Sequence, residues 1–153
     1  MDRAKPITIL VADDDADDRM LIEDAFQESK LGNDLRFVKD GVELLEYLRR
    51  EGDYTDPASA PRPGIILLDL NMPRMDGREA LAQIKGDADL KQIPVVVLTT
   101  SKAEEDIVRT YDLGVSSFIA KPVTFDGLVD LVRVLSDYWV QIVVLPPAEA
   151  MAA

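Results

Sequence analysis

The 153-residue chain contains no cysteine and no histidine. Without cysteine there is neither a disulfide framework nor a thiolate metal site. Without histidine there is no imidazole base, no histidine-based catalytic triad and no histidine metal ligand. Any metal must then be held by oxygen, which favours magnesium, calcium or manganese. Positive charge is scarce as well: 17 Lys and Arg against 29 Asp and Glu leave a net charge of −12. That balance argues against partners with anionic backbones or surfaces, so neither nucleic acid nor membrane is expected. No apolar run reaches the about 18 residues of a membrane span. The opening "MDRAKPITILVA" lacks the long apolar region and small-residue cleavage site of a signal peptide. A cytoplasmic protein with one core is the expectation, since the length suits a single domain.

What is present is an alternation of short apolar runs and helical patterns. Strands are expected at Ile7 to Ala12, Leu35 to Val38, Ile65 to Leu70, Ile93 to Thr100 and Ser116 to Ala120. Helical spacing covers Asp15 to Ser29, Gly41 to Arg50, Arg78 to Lys85, Glu104 to Leu113 and Phe125 to Trp139. Inward faces are expected from Ile22, Ala25 and Phe26, from Val42, Leu45 and Leu48, and from Leu128, Leu131, Val132 and Leu135. The stretch Glu51 to Gly64, with three prolines and two glycines, reads as a surface loop. Strands apolar on both faces and alternating with amphipathic helices imply an α/β, flavodoxin-like, doubly wound parallel sheet of five strands with five helices. In such folds the working crevice lies beyond the carboxyl ends of the strands.

Those ends carry a recognisable chemistry. The first strand runs into "DDDADD", five aspartates in six positions, Asp13 to Asp18. Helix capping and the helix dipole explain one or two of them; Asp17 and Asp18 are read as solvated charges of the first helical turn. Crowded carboxylates otherwise need a counter-charge. The third strand ends at Asp69, the fourth at Thr99 and Thr100, the fifth at Lys121-Pro122. Neighbouring strands would gather three aspartates, two hydroxyls and an ammonium on one rim, although strand alternation points Thr99 and Thr100 to opposite faces. Asp13, Asp14 and Asp69 offer hard oxygen ligands suited to Mg²⁺, with the backbone carbonyl of Asn71 in reach. A metal-held carboxylate can serve as a nucleophile, Thr99 can hydrogen-bond a phosphoryl oxygen, and Lys121 supplies a compact positive charge. Pro122 leaves a cis Lys121–Pro122 bond open.

Four motifs in order, "ILVADDD", "LLDLNMPRMDG", "VVVLTTS" and "SFIAKP", make the chain resemble the receiver domain of two-component response regulators. Asp69 precedes Thr99 by 30 positions and Thr99 precedes Lys121 by 22, intervals typical of that family. The resemblance covers about Ile7 to Trp139 and implies a receiver over 5–140 followed by a C-terminal extension over 141–153. It implies that Asp69 is the phosphoacceptor, that Asp14 binds Mg²⁺ directly and Asp13 through water, and that Asn71 gives its carbonyl. It also implies Thr99 as the switch hydroxyl, Lys121 as the family's lysine and Phe118 as the switch aromatic, with Asn71 and Ser101 placed to tune hydrolysis of the acyl phosphate. The insert before the third strand and the ending "YWVQIVVLPP" resemble small regulators that work with phytochrome-type histidine kinases. A sensor histidine kinase, of bacteriophytochrome type, is thus the expected partner, with output through the face of the fourth helix, fifth strand and fifth helix.

Three other readings stand beside this one. Within the family, the chain could serve another kinase or act as a phosphorelay shuttle. From another class, a Mg²⁺-dependent phosphatase could use an aspartyl phosphate; such enzymes usually place a second Asp two residues after the nucleophile, where this chain has Asn71. A degenerate receiver acting only as a binding module is disfavoured by the intact acidic pair, Asp69, Thr99 and Lys121. No output domain follows, so a transcription factor is not expected. The aliphatic run Ile142 to Leu145, after Tyr138 and Trp139, leads to the expectation of a homodimer built through the C-terminal helix and extension.

Overall fold

The computed structural model describes residues 7–28, 34–99, 103, 117–122 and 124–139, apart from the side chains of Thr99, Ser117, Phe118 and residues 136–139. The expected helix at Glu104 to Leu113, Ser101 and the 141–153 extension lie outside the described residues.

Five strands form one parallel sheet: β1 (Thr8–Ala12), β2 (Asp34–Val38), β3 (Ile65–Asp69), β4 (Val95–Thr99) and β5 (Ser117–Ala120), in the order β2-β1-β3-β4-β5. Four α-helices lie among the described residues: α1 (Ala16–Glu28), α2 (Gly41–Arg49), α3 (Gly77–Lys85) and α4 (Phe125–Trp139). The strand order reverses between β1 and β3, which places a crevice at their carboxyl ends.

The two-residue period of the strands divides the core into two layers. Leu10, Ala12, Ile66, Leu68, Val95 and Val97 pack with α2 and α3. Ile9, Val11, Ile65, Leu67, Val96 and Leu98 pack with α1 and α4. All five residues of β3 are buried, as expected for a central strand covered on both sides.

One expectation needs correction and another refinement. The inward face of α2 is Gly41, Leu44, Leu45 and Tyr47, whereas Val42 and Leu48 are only partly buried. Tyr47 rolls the helix: its ring is buried and its hydroxyl finds an outlet by donating to the Pro61 carbonyl, 2.8 Å away. Burial pushes that phenol up to about 12. The stretch after α2 runs over the surface, with most of its residues exposed, but is more ordered than a plain loop. It contains two 3₁₀ turns, Gly52–Tyr54 and Pro57–Ser59, and buries Ala60. Tyr54 stacks tilted against Tyr47 with ring centroids 5.2 Å apart, and its hydroxyl donates to Glu43 Oε2 at 2.6 Å. In α4 the buried residues are Leu128, Val129, Val132 and Leu135, with Leu131 partly buried.

Candidate phosphoacceptor and metal site

One step beyond the last register pair of β1 and β3, Ala12 with Leu68, come Asp13 and Asp69. Both continue the parity of Val11 and Leu67, the layer shared with α1. Asp13 is fully buried and Asp69 is 5% exposed. Carboxylates so placed must be hydrogen-bonded and charge-compensated, and each is. Asp13 Oδ1 accepts from the Asp15 amide at 2.9 Å, and Asp69 Oδ1 accepts from the Asn71 amide at 3.1 Å. These two turns bend the chain away from the strand ends.

The compensating charge is Lys121, which follows β5 directly. Its Nζ donates to Asp13 Oδ2 at 2.8 Å, to Asp18 Oδ2 at 2.9 Å and to Asp69 Oδ2 at 3.4 Å. Its side chain is 11% exposed. Burial alone would lower its pKa; the hydrogen bonds to Asp13 and Asp18 and the charges of Asp69 and Asp13 outweigh that and hold it above the usual lysine range. For Asp69 the balance is reversed. Burial raises its pKa above the carboxylate norm, although Lys121 and the Asn71 amide pull it down. Burial thus outweighs the pull of Lys121 on this carboxylate.

Asp14 completes the cluster. One oxygen from each of Asp13, Asp14 and Asp69 can be chosen so that all lie within 4.8 Å of one another, and Asp14 is the exposed member. Donors at opposite corners of a Mg²⁺ octahedron stand about 4.2 Å apart and adjacent ones about 3 Å. The three oxygens are gathered within reach of one such ion, directly or through a bound water, and the donor set is all hard oxygen. The residues fit the ion.

The loop after β3 is held from two sides. Asp76 caps α3 by accepting from the Glu79 amide at 2.9 Å. The Gly77 amide donates to the Leu70 carbonyl at 2.9 Å, and a Cβ at Gly77 would stand 2.5 Å from the Asp69 carbonyl oxygen, so only glycine lets α3 start this close to β3. On the other side Arg74, in a left-handed conformation at φ 64°, grips Asp40 with Nε and Nη2 at 2.9 and 3.1 Å. Asp40 is buried and caps α2. Burial alone would raise its carboxyl, but the Arg74 guanidinium and the amides of Glu43 and Val42 together hold it below its ordinary value.

Sequence reasoning placed Asp13, Asp14, Asp69 and Lys121 together, and the structure does bring them together. Asn71 sits at the turn after Asp69, and Thr99 ends β4 opposite Ala120; the Thr99 hydroxyl and the Phe118 side chain lie outside the described residues. Among the described residues no peptide bond is cis, the Lys121–Pro122 bond included. One assignment is overturned: Asp18 is not a mere solvated charge but a direct partner of Lys121. Asp17 stays exposed, and Asp15 is the cap of α1, accepting from the amides of Asp17 and Asp18.

Residues 9–133 match the response regulator receiver domain. The chain belongs to that family. The curated relative "Response regulator Rcp1" of Synechocystis sp. is 39% identical over 143 residues, 94% of this chain and 95% of Rcp1. The crystal structure of the Mn²⁺-bound form of Rcp1 superposes with a TM-score of 0.75, covering 88% of this chain and 94% of that one. The phosphorylated cyanobacterial phytochrome response regulator RcpA is 43% identical with a TM-score of 0.79, over 89% of this receiver and 95% of RcpA. The response regulator RPA3017, from red light signalling of R. palustris, is 35% identical with a TM-score of 0.80, over 88% and 94%. This receiver is therefore a relative of phytochrome response regulators, a signalling protein whose family implies a histidine kinase partner. The phosphatase reading is not favoured by any of these relationships. Among the described residues no helix is long and apolar enough to cross a membrane.

Proposed function

We propose that this receiver takes a phosphoryl group from a phytochrome-type histidine kinase onto Asp69 with Mg²⁺ at the Asp13–Asp14–Asp69 cluster. The observation that carries the reading is the buried Asp69 carboxylate, gathered with Asp13 and Asp14 and facing the Lys121 ammonium at 3.4 Å. Bound Mg²⁺ would neutralise the charge that gathers on the phosphoryl oxygens. Asp14, exposed beside the buried pair, would hold the ion directly; Asp13, with one oxygen on the Asp15 amide and the other on Lys121, would hold it through water, and Asn71 would offer its backbone carbonyl. Asp69 Oδ attacks phosphorus in line as the bond to the histidine nitrogen breaks, and Lys121 holds an equatorial oxygen. Thr99 then closes on the phosphate, Phe118 follows, and the surface of β5 and its flanking helices changes population. The chemistry is limited to this chain's own carboxylate, and loss of the phosphate by hydrolysis resets it.

The test is incubation with acetyl phosphate and Mg²⁺ followed by peptide mapping. A single stoichiometric adduct on Asp69 is expected. A second residue labelled to equal yield, or steady turnover of a small phosphate ester, would refute the reading.

Mg²⁺ is expected to stabilise the fold by relieving repulsion among the three aspartates. Linkage gives about 2.7 kcal/mol at a hundredfold excess over the dissociation constant. Asp14→Ala should remove most of that gain in a thermal melt, and an unchanged Mg²⁺ response in this variant would exclude Asp14 as a ligand.

The 141–153 extension is assigned to a homodimer contact on the strength of its aliphatic run and of Val134, exposed on α4. Light scattering at several concentrations should give a smaller mass for a chain cut after Trp139 than for the full chain. Equal masses throughout would remove the extension from the dimer.

A further inference from the structure

We propose that Asp18 is a positioning residue for Lys121, holding the ammonium at the rim while the metal engages Asp69 directly and Asp13 through a bound water. The inference rests on the reading of Asp69 as the phosphoacceptor beside a cation.

An ammonium has three N–H donors and no acceptor. All three donors of Lys121 are used, on Asp13, Asp18 and Asp69. Two of these partners belong to the trio that can close on a metal; Asp18 does not. An arriving divalent cation draws on the same Asp13 and Asp69 carboxylates and repels the ammonium. Lys121 must then loosen its hold on both. Asp18 is the one partner of the three that the metal leaves alone, and it already sits at 2.9 Å.

Its position is well fixed. Asp18 lies in the first turn of α1, whose start is set by the Asp15 cap. Arg19, the next residue, ties the same turn to the end of β1 by donating to the Asp13 carbonyl at 2.7 Å. The Asp18 side chain is about one-third exposed, at 35%, whereas that of Asp13 is wholly buried and that of Asp69 is 7% exposed. Asp18 therefore bears little desolvation penalty of its own while anchoring a charge that the buried pair must share. Without it the ammonium has only the two carboxylates that the cation also needs. Lys121 and Mg²⁺ then compete directly, and the lysine is less often in place for a phosphoryl oxygen.

The test uses the full chain and two readouts: calorimetric titration with Mg²⁺ alone, and acetyl phosphate labelling over a range of Mg²⁺ concentrations. Asp18→Asn should weaken Mg²⁺ binding by about fivefold, within the coupling seen for residues sharing one network. The Mg²⁺ concentration for half-maximal labelling should rise by the same factor, and the rate at saturating Mg²⁺ should fall less. Asp18→Glu keeps the carboxylate and should return the affinity to within about twofold of wild type, as should Asp17→Asn, which removes an exposed, screened charge from the same turn. In a Lys121→Met background Asp18→Asn should leave Mg²⁺ affinity unchanged. The proposal is overturned if Asp18→Asn does not weaken Mg²⁺ binding, if Asp17→Asn weakens it equally, or if the Asp18 effect survives the loss of Lys121. Should Lys121→Met not fold, the comparison of the Asp17 and Asp18 variants decides alone. Failure of the wild type to label at Asp69 would instead strike the functional reading beneath it.

Discussion

Asp69→Asn is expected to abolish phosphorylation by acetyl phosphate and by a cognate kinase, and to make the metal-free protein more stable. The first effect follows from chemistry: an amide oxygen is a poor nucleophile and cannot form the acyl phosphate. Asp13 is equally buried and lies 2.8 Å from Lys121, so it is the competing acceptor that the labelling must exclude. The second effect follows from linkage. Burial raises the Asp69 pKa, so the folded state keeps this proton to a higher pH than the unfolded chain does. The contribution of Asp69 to stability therefore falls as pH rises through its folded value, and above that value the ionised group opposes folding. A neutral Asn removes that opposition. Intact-mass measurement after labelling checks the chemistry, and urea unfolding in chelator checks the stability. Residual labelling of Asp69→Asn at wild-type yield would eliminate Asp69 as the acceptor, and a metal-free variant less stable than wild type would contradict the electrostatic account.

The largest loss of stability should come from Lys121→Met. The substitution nearly preserves chain length but leaves Asp13 and Asp69 buried with no cation. Removing one partner of a buried ion pair typically costs about 3–5 kcal/mol, because the remaining charge is stranded. Here one ammonium serves three carboxylates, so the upper half of that range applies in metal-free buffer. Saturating Mg²⁺ replaces the missing charge and should recover much of the loss. Lys121 has a raised pKa, so its support is fully present below the ordinary lysine value of about 10.4 and is lost only as pH rises through the higher folded value. The wild-type advantage over Lys121→Met should therefore stay level against lysine titration across the neutral range. Urea unfolding with chelator and with Mg²⁺ gives both numbers. An equal deficit in the two buffers would mean that Lys121 stabilises by packing rather than by charge.

The strands were legible in the sequence because β1, β3 and β4 are nearly all aliphatic and run into Asp13, Asp69 and Thr99 at their carboxyl ends. So was the meeting of Asp13, Asp14, Asp69 and Lys121, since a parallel sheet brings successive carboxyl ends to one edge. Three features were not. Asp18 looked like an ordinary first-turn acid, and no local spacing marks it, because its partner Lys121 stands 103 positions away. The roll of α2 was hidden because counting aliphatic residues overlooks a buried tyrosine whose hydroxyl needs a carbonyl outside its own helix. The Arg74–Asp40 grip pairs residues 34 apart, and nothing local announces it: the sequence around Arg74 reads as a turn, with no reason to place an arginine at positive φ.

That grip also divides α2 into two unlike ends. At its first residues the helix is bound to the phosphorylation loop, by Arg74 on Asp40 and by the Gly41 amide on the Met75 carbonyl at 3.0 Å. About 13 Å away along the nine-residue helix, Arg50 turns left-handed at φ 56° and the chain enters the proline-rich segment. A change in the length or composition of that segment would pull on the helix end that faces away from the loop after Asp69, while the end bound by Arg74 and Met75 stays fixed.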